Sequence, residues 1–302
     1  MSALLAYIPS PSNGSFQLFS HVTIHMYGLM LLIGIAGCIW LTGARWVRWG
    51  GDWDLIFRMS LWGVIAGIVG ARIYHDITSW NQDPSIHEHW YGFAAVWNGG
   101  LGIWGAIPLG CLVGAWIVHR SGASVRLMMD AVAPGLLLAQ GIGRIGNYWN
   151  QELYGKPTSL PWGLRIDQAH QTTIDPQYQS TGPYGYYQPT FLYEFLWDVI
   201  GVGVLLWVDR RFKLKRPALF ALYVVWYTTF RTVEELLRID PSGHFLGMRT
   251  NFWVSIVLWF AAVVFFIWWQ FIRKSSGSPE GTMAPRKIEP GPTMAVPKGR
   301  VR

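Results

Sequence analysis

Long runs of apolar residues, separated by short polar segments, recur along most of the chain. A membrane-spanning helix needs roughly 20 predominantly apolar residues. The pattern predicts seven such helices, at residues 24–43, 55–75, 99–119, 127–146, 190–208, 217–237 and 252–272. The expected fold is therefore an all-α integral membrane protein, with one membrane domain over residues 1–273 that includes a long loop at 147–189.

Composition supports a membrane protein and excludes several soluble classes. Of the 302 residues, 51% are hydrophobic and only 14% are charged, whereas soluble domains carry about 25% charged residues. A soluble enzyme and a disordered scaffold are thus excluded. The two cysteines, Cys38 and Cys111, lie inside apolar runs, which excludes a disulfide scaffold or a zinc site. We expect neither a metal nor a cofactor.

The distribution of Lys and Arg predicts the orientation. On one side of the predicted helices lie 17 of the 24 Lys and Arg residues, and on the other side four. Because cytoplasmic segments are enriched in these residues, we expect the N-terminus and the 147–189 loop outside and the C-terminus in the cytoplasm. Residues 274–302 are predicted to be a disordered basic tail. The net charge of +7 then reflects topology and attraction to membrane lipids, with no nucleic-acid partner.

Three arginines fall inside the predicted helices: Arg72, Arg144 and Arg231. An arginine in the bilayer costs at least a few kcal/mol unless it is paired or faces a polar cavity. The predicted topology places all three in the outer half of the membrane. Such a cluster suits an anionic phospholipid, because a guanidinium group binds phosphate bidentately. The alternative is a set of structural ion pairs with nearby carboxylates, such as Glu235, four residues after Arg231.

One segment carries a specific motif. Residues 143–155, GRIGNYWNQELYG, closely resemble the G-R-x-G-N-F-x-N-x-E-x-x-G signature of the prolipoprotein diacylglyceryl transferases, with Tyr148 in place of Phe. Weaker matches follow the family's order. They are YG at 27–28, GARIY at 70–74, QPTFLYE at 188–194 and RTVEELLR at 231–238.

The resemblance implies an activity and a location. Members of this family transfer the diacylglyceryl group of phosphatidylglycerol to the lipobox cysteine of a bacterial preprolipoprotein. The products are a thioether-linked lipid and glycerol phosphate. We therefore expect a multi-pass enzyme of the bacterial plasma (inner) membrane, with its active site at the outer leaflet. Its partners are phosphatidylglycerol, the lipobox peptide and membrane lipids.

The resemblance also assigns roles to residues. Arg144 and Arg231 are the expected phosphate ligands, with Asn147 and Glu152 completing the catalytic set. Carboxylates are expected to hold the guanidinium groups, and tyrosines to hydrogen-bond the lipid. The expected substrate-binding residues are Tyr27, Arg72, Gly99, Gly100, Trp104, Gly155, Glu194, Tyr227 and Glu235. His25, near the outer end of the first predicted helix, is a candidate base.

Two departures from the family pattern keep alternatives open. Trp104 stands where Gram-negative members carry a His, and Gln188 replaces the His of H-P-S-Q-L-Y-E. Since Trp cannot accept a proton, a catalytically inactive binder of lipid or lipoprotein precursors is one alternative. A transporter that passes an anion or a lipid along the arginines is another, although no internal repeat typical of transporters is evident.

Overall fold

The fold is given by a computed structural model, which describes residues 7–11, 13–18, 22–81, 83–96 and 99–274. All but the first residue of the tail predicted at 274–302 therefore lies outside the described residues.

Seven long helices occupy the described part of the chain, at the positions that the apolar runs predict. They are α1 (Met26–Arg48), α2 (Trp53–Thr78), α4 (Ile103–Arg120), α5 (Val125–Asn150), α6 (Thr190–Arg211), α7 (Ala218–Leu237) and α8 (Thr250–Ile267). A one-turn helix, α3 (Ser85–Glu88), follows α2, and a π-helical turn, Trp268–Ile272, continues α8.

Six of the long helices are long and apolar enough to cross a membrane, as judged by length and composition. The exception is α7, which carries Arg231, Glu234 and Glu235 in its last two turns. Many large apolar side chains on the other helices face outward, including Leu32 and Leu112. An exposed apolar surface of this extent is typical of a protein surrounded by lipid. These features agree with the predicted helical membrane protein.

The helical architecture is confirmed, and three short two-stranded antiparallel sheets accompany the helices. They pair β1 (Ser15–Leu18) with β2 (Val22–His25), β3 (Leu164–Asp167) with β4 (Tyr184–Tyr187), and β5 (His244–Phe245) with β6 (Met248–Arg249). All three lie in segments between or before the long helices, where apolar periodicity carries no signal. His25 is accordingly the last residue of a strand, not part of the first helix.

Two helix boundaries differ from the prediction in ways that matter for the site. Helix α4 begins at Ile103 rather than at residue 99, because Gly99 and Gly100 have φ values of 86° and 67°, a conformation that a helix cannot contain. Helix α5 continues beyond residue 146 to Asn150 and ends where Gln151 adopts a left-handed φ of 51°. Asn147 and Asn150 are therefore helical residues.

The helices pack as two units. In one unit α1 lies along α5, which also contacts α6 and α7, while α8 packs on α7. In the other unit α2 lies along α4. A Cβ atom on Gly105 of α4 would overlap the carbonyl oxygen of Gly70 on α2, so the two helix backbones touch. Small residues allow this approach in membrane helices.

The 147–189 segment predicted as a loop is an ordered cap over the end of α5. Strands β3 and β4 enclose an apolar cluster that includes Tyr154, Ile166 and Tyr187. The side-chain Nε2 of Gln151 donates hydrogen bonds to the Pro11 carbonyl at 3.1 Å and to the Asp167 carboxylate at 3.0 Å. Residues 151–189 with β3 and β4, called the cap below, are thereby fastened to the N-terminal segment and to α5.

A buried ion network fastens the opposite end of the bundle. Asp130 of α5 is fully buried, accepts a hydrogen bond from the Phe220 amide at 2.8 Å and pairs with Arg216 at 3.1 Å. Arg216 also lies 2.7 Å from Asp209 of α6, which pairs with Arg45 of α1 at 3.2 Å. Four elements of the first unit therefore meet at this network, called the inner lock below.

We predict that Asp130→Ala destabilises the protein by about 3–5 kcal/mol, because it leaves Arg216 buried beside a single carboxylate. Thermal unfolding in detergent, followed by circular dichroism, measures the effect. Asp54→Ala is the matched control. Asp54 pairs with Arg58 at 2.8 Å, but both side chains are more than half exposed, so its loss should cost less than about 1 kcal/mol. Equal effects of the two substitutions would contradict a stabilising inner lock.

Candidate functional site

Two arginines from neighbouring helices share one carboxylate at the capped end of the bundle. Arg231 Nη1 lies 2.5 Å from Glu234 Oε2 on the same helix, α7. Arg144 Nη2 of α5 lies 3.9 Å from that same oxygen, and Arg144 Nε lies 2.6 Å from Glu194 Oε2 of α6. The shared Glu234 therefore holds the two guanidinium groups side by side.

The alternation of charges continues from Arg231 toward the start of α8. Arg231 Nη2 contacts Glu235, whose other oxygen lies 2.5 Å from Arg249 Nε. Arg249 Nη2 and Arg238 Nε lie 2.9 and 2.7 Å from the two oxygens of Asp240. Burial alone would raise the pKa of Asp240, but the hydrogen bonds and charge of Arg238 and Arg249 outweigh it and lower that pKa. Asp240 is therefore ionised at neutral pH.

The chain of ion pairs is balanced in charge but not in exposure. It contains four arginines (Arg144, Arg231, Arg238 and Arg249) and four carboxylates (Glu194, Glu234, Glu235 and Asp240). The side chains of Arg144 and Arg231 are 17% and 13% exposed, whereas those of Glu194, Glu234 and Glu235 are 2% or less. The carboxylates thus lie behind the guanidinium groups, and the accessible face is cationic.

Two tyrosines border this face. Tyr227, one turn before Arg231 on α7, interacts electrostatically with Arg144, Arg231, Glu194 and Glu234. Tyr27 of α1 packs directly on Gly146, where a Cβ atom would lie 2.6 Å from its ring, and interacts electrostatically with Arg144 and Glu152. Gly146 of the 143–155 motif thereby allows the Tyr27 ring to pack against α5.

The polar residues of the motif lie at the join between α5 and the cap. Asn147 is buried, and its carbonyl accepts the Glu152 amide at 3.1 Å. Glu152 accepts a hydrogen bond from the Asn150 side chain at 3.1 Å. The Gly155 amide donates to the Gln188 carbonyl at 2.9 Å. The motif therefore builds the corner where helix, cap and arginines meet.

Gln188 stands where the resemblance leads us to expect a histidine, and both polar atoms of its side chain have hydrogen-bond partners. Its amide nitrogen donates to Thr158 at 3.1 Å, and its amide oxygen accepts the Tyr193 hydroxyl at 2.6 Å. These bonds join the start of α6 to the cap. In this chain the position serves to hold the cap.

Arg72 does not join the other two arginines. Its guanidinium donates to the carbonyls of Phe93 at 3.1 Å, Gly99 at 2.9 Å and Gly92 at 2.6 Å, and it pairs with Asp76 at 3.0 Å. Arg72 thus fixes the backbone at Gly92, Phe93 and Gly99 onto α2. Of the three arginines expected to lie together, only Arg144 and Arg231 do so.

The remaining expected residues lie with Arg72 or at the surface. Gly100 lies so close to the His75 ring and to Arg72 Nη1 that a Cβ atom would come within 2.5 and 2.8 Å of them. The Cβ position of Gly99 is open. Trp104, in the first turn of α4, is 53% exposed, and His25 is exposed at the end of β2. These residues border the second helical unit or the N-terminal hairpin rather than the shared carboxylate.

Two further residues of this region, Arg249 and Asp198, are not among the expected site residues. Arg249 anchors the start of α8 through its ion pairs with Glu235 and Asp240. Its position as a lone cation just before the last apolar run was the feature of the sequence that could have indicated this role. Asp198 lies one turn after Glu194 on α6 and is fully buried. It packs against Gly141, where an added Cβ atom would lie 3.1 Å from the Cβ atom of Asp198. Within the described residues, neither of its carboxylate oxygens has a hydrogen-bond partner. Its position four residues after Glu194 was the available signal.

Comparison with known proteins supports the resemblance found in the motifs. Residues 14–268 match the family described as prolipoprotein diacylglyceryl transferase. The chain is 45% identical over 280 residues to the phosphatidylglycerol–prolipoprotein diacylglyceryl transferase of Bifidobacterium adolescentis, covering 90% of this chain and 82% of that protein. Proteins of the same name from Frankia alni and Streptomyces coelicolor (its second such enzyme) are 49% and 46% identical, each over 262 residues. Both alignments cover 86% of this chain, and they cover 67% and 80% of the respective relatives. The chain therefore belongs to the prolipoprotein diacylglyceryl transferase family.

Proposed function

We propose that this protein transfers the diacylglyceryl group of phosphatidylglycerol to the lipobox cysteine thiol of bacterial preprolipoproteins. The names of its relatives include both phosphatidylglycerol and prolipoprotein, which supports these two substrates for the present chain. The structural observation that carries the proposal is the pair Arg144 and Arg231, which shares Glu234 and presents a partly exposed cationic face. A face of this kind suits a phosphate diester.

The proposal includes an arrangement in the membrane. All seven long helices span the bacterial plasma membrane, with the N-terminus and the cap outside and the C-terminus in the cytoplasm. Helix α7 carries three charged residues in its last two turns, but they are paired within the bundle, which reduces the penalty of placing them in the bilayer. Arg144 and Arg231 then lie in the outer leaflet, at the depth of lipid phosphates.

Phosphate binding is the first step. The phosphate of phosphatidylglycerol lies between Arg144 and Arg231, while Glu194, Glu234 and Glu235 hold the two guanidinium groups from behind. Tyr227 and Tyr27 hydrogen-bond the phosphate or the lipid esters, and Asn147 orients the headgroup beside Arg144. Because the arginines are positioned before the lipid arrives, little reorganisation is needed during the reaction.

The chemical step is a displacement at the glyceryl carbon. The cysteine thiolate attacks this carbon, so that a C–S bond forms and the C–O bond to the phosphate breaks. Glycerol phosphate leaves with the bonding electron pair, and the two arginines neutralise the charge that accumulates on it. The thiol proton passes to a base and then to solvent.

The remaining expected residues take a positioning role in this proposal. Arg72 holds the segment around Gly99 and Gly100 through backbone carbonyls, and Trp104 follows it at the start of α4. We propose that this segment and Gly155 border the bound substrates. Trp104 cannot be the base, and His25 and Glu152 are candidate proton acceptors on the same side as the cap.

We predict that Arg144→Gln lowers the transfer rate by about 10²–10³-fold, the usual loss when one preorganised donor to a developing negative charge is removed. The assay incubates the purified full chain with phosphatidylglycerol and a lipobox peptide, and mass spectrometry measures the diacylglyceryl group on the cysteine. Arg210→Gln, an exposed arginine at the other end of the bundle, is the control and should transfer normally. Absence of transfer by the unaltered chain, with lipid binding intact, would favour the inactive binder.

We predict that replacement of the base is partly rescued at high pH. A free thiol with a pKa near 8.5 is about 3% thiolate at pH 7 and about three quarters thiolate at pH 9. If His25 accepts the proton, the loss of rate in His25→Gln will be several-fold larger at pH 7 than at pH 9. The same comparison with Glu152→Gln tests the other candidate. A loss that is equal at both pH values means that the residue has a structural role and is not the base.

A further inference from the structure

A groove between α2 and α4 lies at the end of the bundle opposite to Arg144 and Arg231. Its volume is about 420 Å³, and its lining includes Arg58 and Trp62 of α2 and Trp116 and Arg120 of α4. The turns 49–52 and 121–124 lie at this end. Arg144 lies 19 residues along α5 from Val125, about 30 Å away along the helix axis. The groove is therefore separate from the proposed catalytic site.

The groove combines cationic and apolar walls. Arg58 pairs with Asp54 at 2.8 Å, but its side chain is 53% exposed, so the pair leaves the guanidinium accessible. Arg120 stacks over the Trp116 ring at 5.8 Å and, in the part of the chain that the structure describes, has no carboxylate partner. The two arginines and one aspartate leave a net positive charge at the mouth of the groove.

The apolar wall extends from this mouth toward the middle of the bundle. Ile117 and Val113 lie one and two turns before the end of α4 and line the groove with the two tryptophans. Trp62 and Trp116 are 54% and 60% exposed. Trp116 lies one turn from the end of α4, and an exposed tryptophan near the end of a membrane helix is typical of the lipid headgroup region.

We propose that this groove binds one anionic glycerophospholipid of the leaflet opposite to the catalytic site. Its phosphate lies between Arg58 and Arg120, its glycerol backbone lies against Trp62 and Trp116, and an acyl chain follows Val113 and Ile117. The charge surplus selects an anionic over a zwitterionic headgroup, and the apolar wall selects a lipid over free phosphate. The bound lipid stabilises the α2–α4 unit and takes no part in the transfer reaction.

Native mass spectrometry of the full chain in detergent tests the proposal. The delipidated protein is titrated with phosphatidic acid, with phosphatidylcholine of the same acyl chains as the neutral comparison. The variant Arg58→Gln/Arg120→Gln should bind one phosphatidic acid about thirtyfold more weakly, because each arginine near the membrane surface contributes a few-fold to anionic lipid binding. The control Arg48→Gln/Arg210→Gln removes two exposed arginines of α1 and α6 at the same end and should bind normally.

The same titration in Arg144→Gln separates this lipid from one bound at the proposed substrate site, since the two losses should be independent. The groove variant should retain the full transfer rate. An equal loss in the control variant, no loss in the groove variant, or equal loss of phosphatidylcholine would overturn the proposal. Displacement of the lipid by an equal concentration of inorganic phosphate would also overturn it. Evidence that the groove joins two copies of the chain would do the same.

Discussion

The fold is organised by the requirement that buried arginines be neutralised without being covered. A guanidinium group in the bilayer needs a negative partner, but a fully paired guanidinium has nothing left to offer a phosphate. Here Arg144 and Arg231 divide three carboxylates between them and share Glu234. The carboxylate side chains are almost completely buried, whereas both arginine side chains are partly exposed, so the arginines stay accessible to a second anion.

This arrangement explains why the polar residues come from several helices. Arg144 of α5 pairs with Glu194 of α6 and with Glu234 of α7, which also pairs with Arg231. Arg249 adds α8 to the same network. The inner lock around Asp130 fixes α1, α5, α6 and the start of α7 at the far end. Two ionic joints, one at each end, leave the intervening apolar surface free to face lipid. The α2–α4 unit contributes Arg72 as a clamp for its own connecting segment.

Much of this could be predicted from the sequence, because the bilayer imposes one length and one composition on every spanning helix. The seven apolar runs coincide with seven long helices, and the 143–155 motif lies beside the paired arginines. The sequence wrongly suggested that Arg72 would lie beside Arg144 and Arg231, because a shared depth in the membrane fixes only one of three coordinates. A residue at the same level can face a different neighbour, and Arg72 faces backbone carbonyls of its own unit. The late start of α4 depends on the positive φ angles of Gly99 and Gly100, which composition does not reveal. The cap and the inner lock depend on contacts between residues distant in sequence, which no local pattern encodes.

The central claim is that one lipid phosphate lies between Arg144 and Arg231, and the position of that phosphate tests it directly. Electron cryomicroscopy of the full chain in nanodiscs of phosphatidylglycerol, without peptide, would locate the headgroup. The account predicts phosphate density within hydrogen-bonding distance of both guanidinium groups, with Glu234 still behind them. A second reconstruction, in nanodiscs of phosphatidylcholine, should lack that density. A phosphate held by Arg72, or by neither Arg144 nor Arg231, would contradict the account.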